Sequence, residues 1–157
     1  MAGEYRLGDS ASRAVRKVKI DGLELPARPD YTRPQLPSDI TAISAEELME
    51  LFSEITSWLD YIEVQLAAAQ IDEKYEEQQL EEVRAHEQVE ASRTDSRTDV
   101  TTKKALAFES EDFRAQRDRL HNAFGYRRIV ETIYNSLERA RFIVSREITR
   151  RTGDRSN

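Results

Sequence analysis

Apolar residues recur at helical spacing in two long stretches of the sequence. The first stretch carries Leu48, Phe52, Ile55, Trp58, Leu59, Ile62 and Leu66. The second carries Ile129, Ile133, Leu137, Ile143, Val144 and Ile148. Residues three and four positions apart fall on one side of an α-helix, so each stretch predicts an amphipathic helix. We expect these side chains to form the core of the fold, an interface between copies of the chain, or both.

The first helix is predicted to span residues 44–92. Ser44 and Glu47 have the spacing of a capping box, in which each side chain accepts a hydrogen bond from the other residue's backbone amide. After Ile71 the apolar stripe thins, and the sequence becomes polar almost all round. This second half buries too little to fold alone, so it needs a partner helix or remains a solvated extension.

A polar turn is predicted at residues 93–99, where Ser-Arg-Thr-Asp occurs twice in succession over residues 92–99. The repeat has no apolar residue and is rich in side chains that cap helices, so Thr98 or Asp99 can cap the helix that follows. The turn predicts that the two helices run antiparallel.

The return helix is predicted to span residues 100–151, with residues 152–157 as a frayed tail. Gly125 lies within it and marks a kink, a point of close packing, or simply an isolated glycine in a helix. All four prolines precede position 38, so nothing in this helix forbids its continuation.

Residues 1–43 read as a Pro-rich extended arm, with prolines at positions 26, 29, 34 and 37. Such a density of proline favours extended chain. Weak alternation around Asp21 and Gly22 makes Val18 and Ile20 candidates for a short strand. The arm is either a disordered linker or a segment that docks on a neighbouring subunit or partner. The predicted fold is therefore all-α: a long, coiled-coil-like antiparallel hairpin preceded by an extended arm.

Composition narrows the function classes. The chain contains no cysteine, which excludes disulfides and thiolate chemistry. No apolar run approaches the roughly 18–20 residues that cross a bilayer, and the N-terminus lacks a signal-peptide pattern. We therefore expect no membrane partner and a cytoplasmic location.

Charge is divided unevenly between the two predicted helices. Residues 44–92 hold fourteen acidic and two basic residues, whereas residues 100–157 hold eight acidic and thirteen basic ones. Acidic and basic helices paired in a hairpin explain this division, and a basic surface that faces a polyanion is the alternative explanation. Arginine suits bidentate contact with phosphate, and the candidate contacts are Arg127, Arg128, Arg139, Arg141, Arg146, Arg150 and Arg151.

The sequence gives no sign of catalysis. It has no glycine-rich phosphate loop and no nucleophile elbow. His86 and His121 are the only histidines, and their arginine and glutamine neighbours are typical of a solvated surface. We expect no catalytic residue, metal, cofactor or small-molecule substrate.

The order of features resembles the UvsY-type recombination mediators of T-even-type phages. The match rests on LFSEITSWLDY, followed by a polar helical extension, DVTTKKALAFESED and VSREITRR, and covers roughly residues 44–150. The resemblance implies an all-helical ring that binds single-stranded DNA and helps to load the recombinase. It implies DNA contacts at Lys103, Lys104 and the C-terminal arginines, and ring formation through residues 124–151.

Two other function classes stay open. A phage virion subunit (scaffolding, neck or minor capsid) also fits a helical hairpin with an N-terminal arm, and would place the protein in the virion. A helical adaptor that binds a protein partner is the third. In each case the narrow apolar stripes predict a homo-oligomer, acting alone or with other phage proteins.

Overall fold

The computed structural model describes residues 8–94, 99, 101–102 and 110–154. Three helices run through them: α1 (Asp9–Ile20), α2 (Ala45–Thr94) and α3 (Glu111–Asp154). The described residues contain no strand, and the two long helices pack against each other. The predicted all-α class and the helical hairpin are confirmed.

The start of α2 lies where the capping box predicts it. The Ser44 amide donates to the Glu47 carboxylate at 2.7 Å, and the Glu47 amide donates to the Ser44 hydroxyl at 3.1 Å. The hydrogen bond from the Ser44 amide holds the pKa of Glu47 below its ordinary value. Because the two partners lie only three residues apart, this signal needs no tertiary context.

Within the predicted return helix, Thr101 and Thr102 are helical, and residues 103–109 lie outside the described residues. The Ser110 hydroxyl accepts from the Phe113 amide at 3.1 Å and thereby caps α3, which then runs without interruption through Gly125. A Cβ atom at Gly125 would meet nothing within 4 Å, so the suggestion of close packing there is wrong. Asp99 accepts from the Thr101 amide at 3.2 Å, as a capping residue does. Arg93 and Thr94, which were predicted to lie in the turn, belong to α2, and residues 95–98 lie outside the described residues.

The strand expected near Asp21 is wrong, because residues 9–20 form helix α1 rather than extended chain. Gly22 has a φ of 78°, and its amide donates to the Lys19 carbonyl while the Leu23 amide donates to the Val18 carbonyl. This is the Schellman pattern that ends a helix on a left-handed glycine. The Asp-Gly pair therefore ends a helix, and Val18 and Ile20 belong to that helix.

The chain divides into two units. The first unit comprises Met1–Arg16 and Ala68–Arg128, and its buried apolar residues are few and mostly small: Ala11, Ala68, Ala69, Phe113 and Ala123. The second comprises Lys17–Ala67 and Ile129–Asn157, and its core is larger: Leu48, Ile55, Trp58, Leu59, Ile62, Val130, Leu137 and Val144.

The Pro-rich segment packs against the helices of its own chain in the second unit. The Tyr31 hydroxyl donates to the Glu54 carbonyl at 3.4 Å, and the Arg28 guanidinium lies 6.0 Å from the centre of the Trp58 ring. Residues 23–44 contain neither helix nor strand. The expectation of a disordered linker does not describe these contacts, and docking of the segment on a neighbouring subunit or partner stays a prediction.

Candidate nucleic-acid interface

Most residues of the two predicted apolar stripes are covered within the chain itself. The buried ones are Leu48, Ile55, Trp58, Leu59, Ile62, Leu137 and Val144. The half-buried ones are Phe52, Leu66, Ile133 and Ile148. Ile129 and Ile143 are 62% and 43% exposed, because the adjacent Val130 and Val144 take the core positions and successive helical side chains point about 100° apart. The buried stripe residues are thus not free to form an oligomer interface.

Arg127 is committed to an ion pair within the first unit. Its guanidinium donates to the Glu73 carboxylate of α2, and the two side chains are 17% and 23% exposed. The guanidinium also lies 5.3 Å from the centre of the Phe124 ring. This predicted DNA contact therefore joins α3 to α2.

Arg150 and Arg151 meet at one carboxylate in the second unit. Both donate to Glu147, whose side chain is 8% exposed, with contacts of 2.7–2.8 Å. These hydrogen bonds lower the pKa of Glu147 to about 2. Both arginines therefore already have an anionic partner, the Glu147 carboxylate, within the chain.

Arg151 also fastens the N-terminal segment to α3. Its guanidinium donates to the backbone carbonyls of Ile40, Thr41 and Ile43 at 2.9–3.1 Å. A planar guanidinium with five N–H donors suits this arrangement, since it serves Glu147 and the segment together. Arg151 therefore stabilises the fold, whereas the sequence predicts that it contacts DNA.

Four predicted contacts are exposed on α3 in the second unit, and Arg150 is the one of them that pairs with Glu147. The other three, Arg139, Arg141 and Arg146, form no ion pair within the described part of the chain. Phe142 lies among them and is 64% exposed, and Arg139, Phe142 and Arg146 follow one another at helical spacing on one side of α3. Arg141 is also exposed but lies about 160° around the helix from Arg139, and the exposed Glu138 lies between Arg141 and Phe142 around the helix. We call Arg139, Arg141, Phe142 and Arg146, which span this exposed half of the helix, the outer face of α3.

The other predicted contacts lie elsewhere. Arg128 is exposed on α3 in the first unit. Lys103 and Lys104 lie outside the described residues. The structure thus brings three of the nine predicted contacts together as an exposed group, and uses Arg127, Arg150 and Arg151 for internal bonds.

Asp72 is a structural residue that the sequence reasoning missed. It is 5% exposed, and it accepts hydrogen bonds from the Gly8 amide at 2.7 Å and the Ala11 amide at 3.0 Å. It thereby caps α1 from a different helix. Its position three residues after the buried Ala69, in phase with the apolar stripe, is the signal that marks it.

The described helices include none long and apolar enough to cross a membrane. His86 and His121 are exposed, and the described residues hold no group of three or more side chains suited to a metal ion. Comparison with family models, curated proteins and solved structures gives no match to this chain.

Proposed function

We propose that the chain is a non-enzymatic helical protein that binds single-stranded DNA along the outer face of α3. The observation that carries the proposal is the exposed trio of arginines around Phe142, with no ion pair to them from the described residues. Exposed arginines attract phosphate, and an exposed aromatic ring offers a surface on which an unstacked base can lie.

The balance of charge near the outer face supports this proposal. Five arginines and two glutamates lie between residues 138 and 151, which gives this stretch a net charge of +3. One of the glutamates, Glu147, is already bonded to Arg150 and Arg151. The stretch is therefore positive, although the whole chain has a net charge of −6.

A role as a recombination mediator in a phage-infected cell, working as an oligomer, follows from the resemblance to UvsY-type proteins. A virion subunit would use its N-terminal arm for assembly, and the contacts of Tyr31 and Arg28 with α2 occupy part of that arm. The exposed Met49, Ile129 and Phe142 suit an adaptor or a contact between copies as well.

The test is fluorescence anisotropy of a labelled oligonucleotide over a series of salt concentrations. Binding should weaken as salt rises, because each neutralised phosphate of a single strand releases counterions and contributes about −0.7 to the log–log slope. The variant R139E/R141E/R146E should bind at least about tenfold more weakly and lower the magnitude of the slope by roughly 2.

The matched control reverses three exposed arginines of α3 in the first unit, R114E/R117E/R119E, which gives the same change in net charge. It should retain most of the binding. F142A should lose about 1–3 kcal/mol by removing one stacking surface, with the salt slope unchanged. Equal losses in both triple variants would show that net charge alone matters and would refute the site. If the wild-type protein binds no single-stranded DNA at low salt, the proposed function is refuted, and the adaptor and virion functions remain.

A further inference from the structure

Helix α1 carries a cationic face that the sequence reasoning did not count among the DNA contacts. Its four basic residues are Arg13, Arg16, Lys17 and Lys19, and its one acidic residue is Asp9. All four basic side chains are exposed, and no described residue forms an ion pair with them. Arg13, Arg16 and Lys17 lie three and four positions apart, which places them on one side of the helix.

The direction of this face is fixed by the anchoring of α1. Ala11 is completely buried, and its amide and that of Gly8 donate to Asp72 of α2. Val15, four residues after Ala11 and on the same side of the helix, is half-buried. With the apolar side of α1 turned toward the protein, the cationic side points to solvent.

The helix dipole explains only two of the four basic residues of α1. Lys17 and Lys19 lie in the last turn of α1, where positive charge complements the helix dipole. Arg13 and Arg16 lie in the middle of the helix, where the dipole offers them nothing. Both are exposed and form no ion pair with a described residue, so they are available to an external anion.

We propose that the cationic face of α1, formed by Arg13, Arg16 and Lys17, is a second contact site for the phosphates of single-stranded DNA. This inference rests on the proposed function and extends it to a helix in the N-terminal segment. A run of cations at helical spacing on a fixed helix suits a ligand with regularly repeated negative charge.

A lipid surface fits this face less well. A helix that lies on a membrane inserts an exposed apolar side between the headgroups. The alanines and valines of α1 are buried or half-buried, and Ile20 is its one exposed apolar residue. Ile20 lies on the cationic side, three residues after Lys17, so the face offers three charges and a single apolar side chain to insert.

The test reverses the three cations in the full-length protein, R13E/R16E/K17E, and repeats the anisotropy titrations with the same oligonucleotide. We expect about tenfold weaker binding or more, and a salt slope smaller in magnitude by roughly 2. The neutralising variant R13Q/R16Q/K17Q should give a smaller loss in the same direction. Hydrogen exchange of the 9–20 amides, compared with the wild type, shows whether α1 remains folded and docked in each variant.

The outcomes separate this inference from the proposed function. If the wild type binds and the outer-face variant is weakened, but both α1 variants keep wild-type affinity and slope, the α1 site is refuted and the proposed function stands. If only the α1 variants lose binding, the α1 site is supported and the outer face is refuted. If the wild type binds vesicles of anionic phospholipid but no oligonucleotide, both proposals fail.

Discussion

Asp72 holds the first turn of α1, and its replacement by alanine is expected to release that helix locally. The carboxylate satisfies two backbone amides at once, those of Gly8 and Ala11. Gly8 has no side chain of its own to cap the helix, so D72A leaves both donors without this partner. Loss of a capping side chain costs about 0.5–2 kcal/mol, and hydrogen bonds to a charged acceptor contribute about 1.5–3 kcal/mol each.

We take about 2 kcal/mol as the combined cost for α1, because the freed amides regain hydrogen bonds to water. At about 1.4 kcal/mol per factor of ten, the open fraction of α1 rises roughly thirtyfold. An isolated helix of 12 residues is marginal in water, so α1 unfolds once it is released. The effect stays local because α2 and α3 retain their own packing.

Hydrogen exchange followed by mass spectrometry measures this directly. Protection of the amides of residues 9–20 should fall by about thirtyfold in D72A. Ellipticity at 222 nm falls by up to roughly a tenth if the release is complete, since α1 has 12 residues against 50 in α2 and 44 in α3. D60A is the matched control, because Asp60 is an exposed aspartate of the same helix.

A second substitution tests the same contact from the other side. A Cβ atom at Gly8 would lie 2.6 Å from Oδ1 of Asp72, which is closer than a carbon and an oxygen approach without bonding. G8A should therefore also reduce the protection of α1. The reasoning is refuted if D72A leaves the amides of α1 as well protected as D60A does.

Two further predictions concern the second unit. I55A should lower the free energy of unfolding by about 2–5 kcal/mol in a urea titration, because Ile55 is fully buried, whereas I129A should change it by less than about 0.5 kcal/mol; similar losses in both would contradict the assigned core. For Glu147, the pKa is lowered from 4.5 to about 2, so its stabilising contribution is complete above about pH 4.5 and is lost as the pH falls toward 2. E147Q should remove that part of the acid dependence of the urea midpoint, and an unchanged dependence would refute the assignment.

The helical class and the start of α2 were readable in the sequence because they depend on residues close together in the chain. Ser44 and Glu47 form their reciprocal bonds within one turn. The spacing of Leu48, Ile55 and Ile62 predicts a buried side whatever that side packs against, and all three are buried. The candidate arginines could also be identified from the sequence, because a count of charges shows the excess of basic residues in the return helix.

Which of those arginines remains exposed was decided by partners distant in sequence. Arg127 bonds to Glu73, and Arg151 bonds to carbonyls more than a hundred residues away. A count of charges gives the same weight to these residues and to Arg139, although the structure uses them differently.

The sequence by itself determined that this chain folds as long helices, because capping and periodicity act over one or two turns. Tertiary structure decided the state of the N-terminal segment. The weak alternation around Val18 and Ile20 suggests a strand, but these residues are helical in α1. Asp72 caps the start of α1 from another helix, and Gly22 ends it. A short helix gains too few internal hydrogen bonds to offset its nucleation cost, so its stability comes from contacts that no local pattern contains.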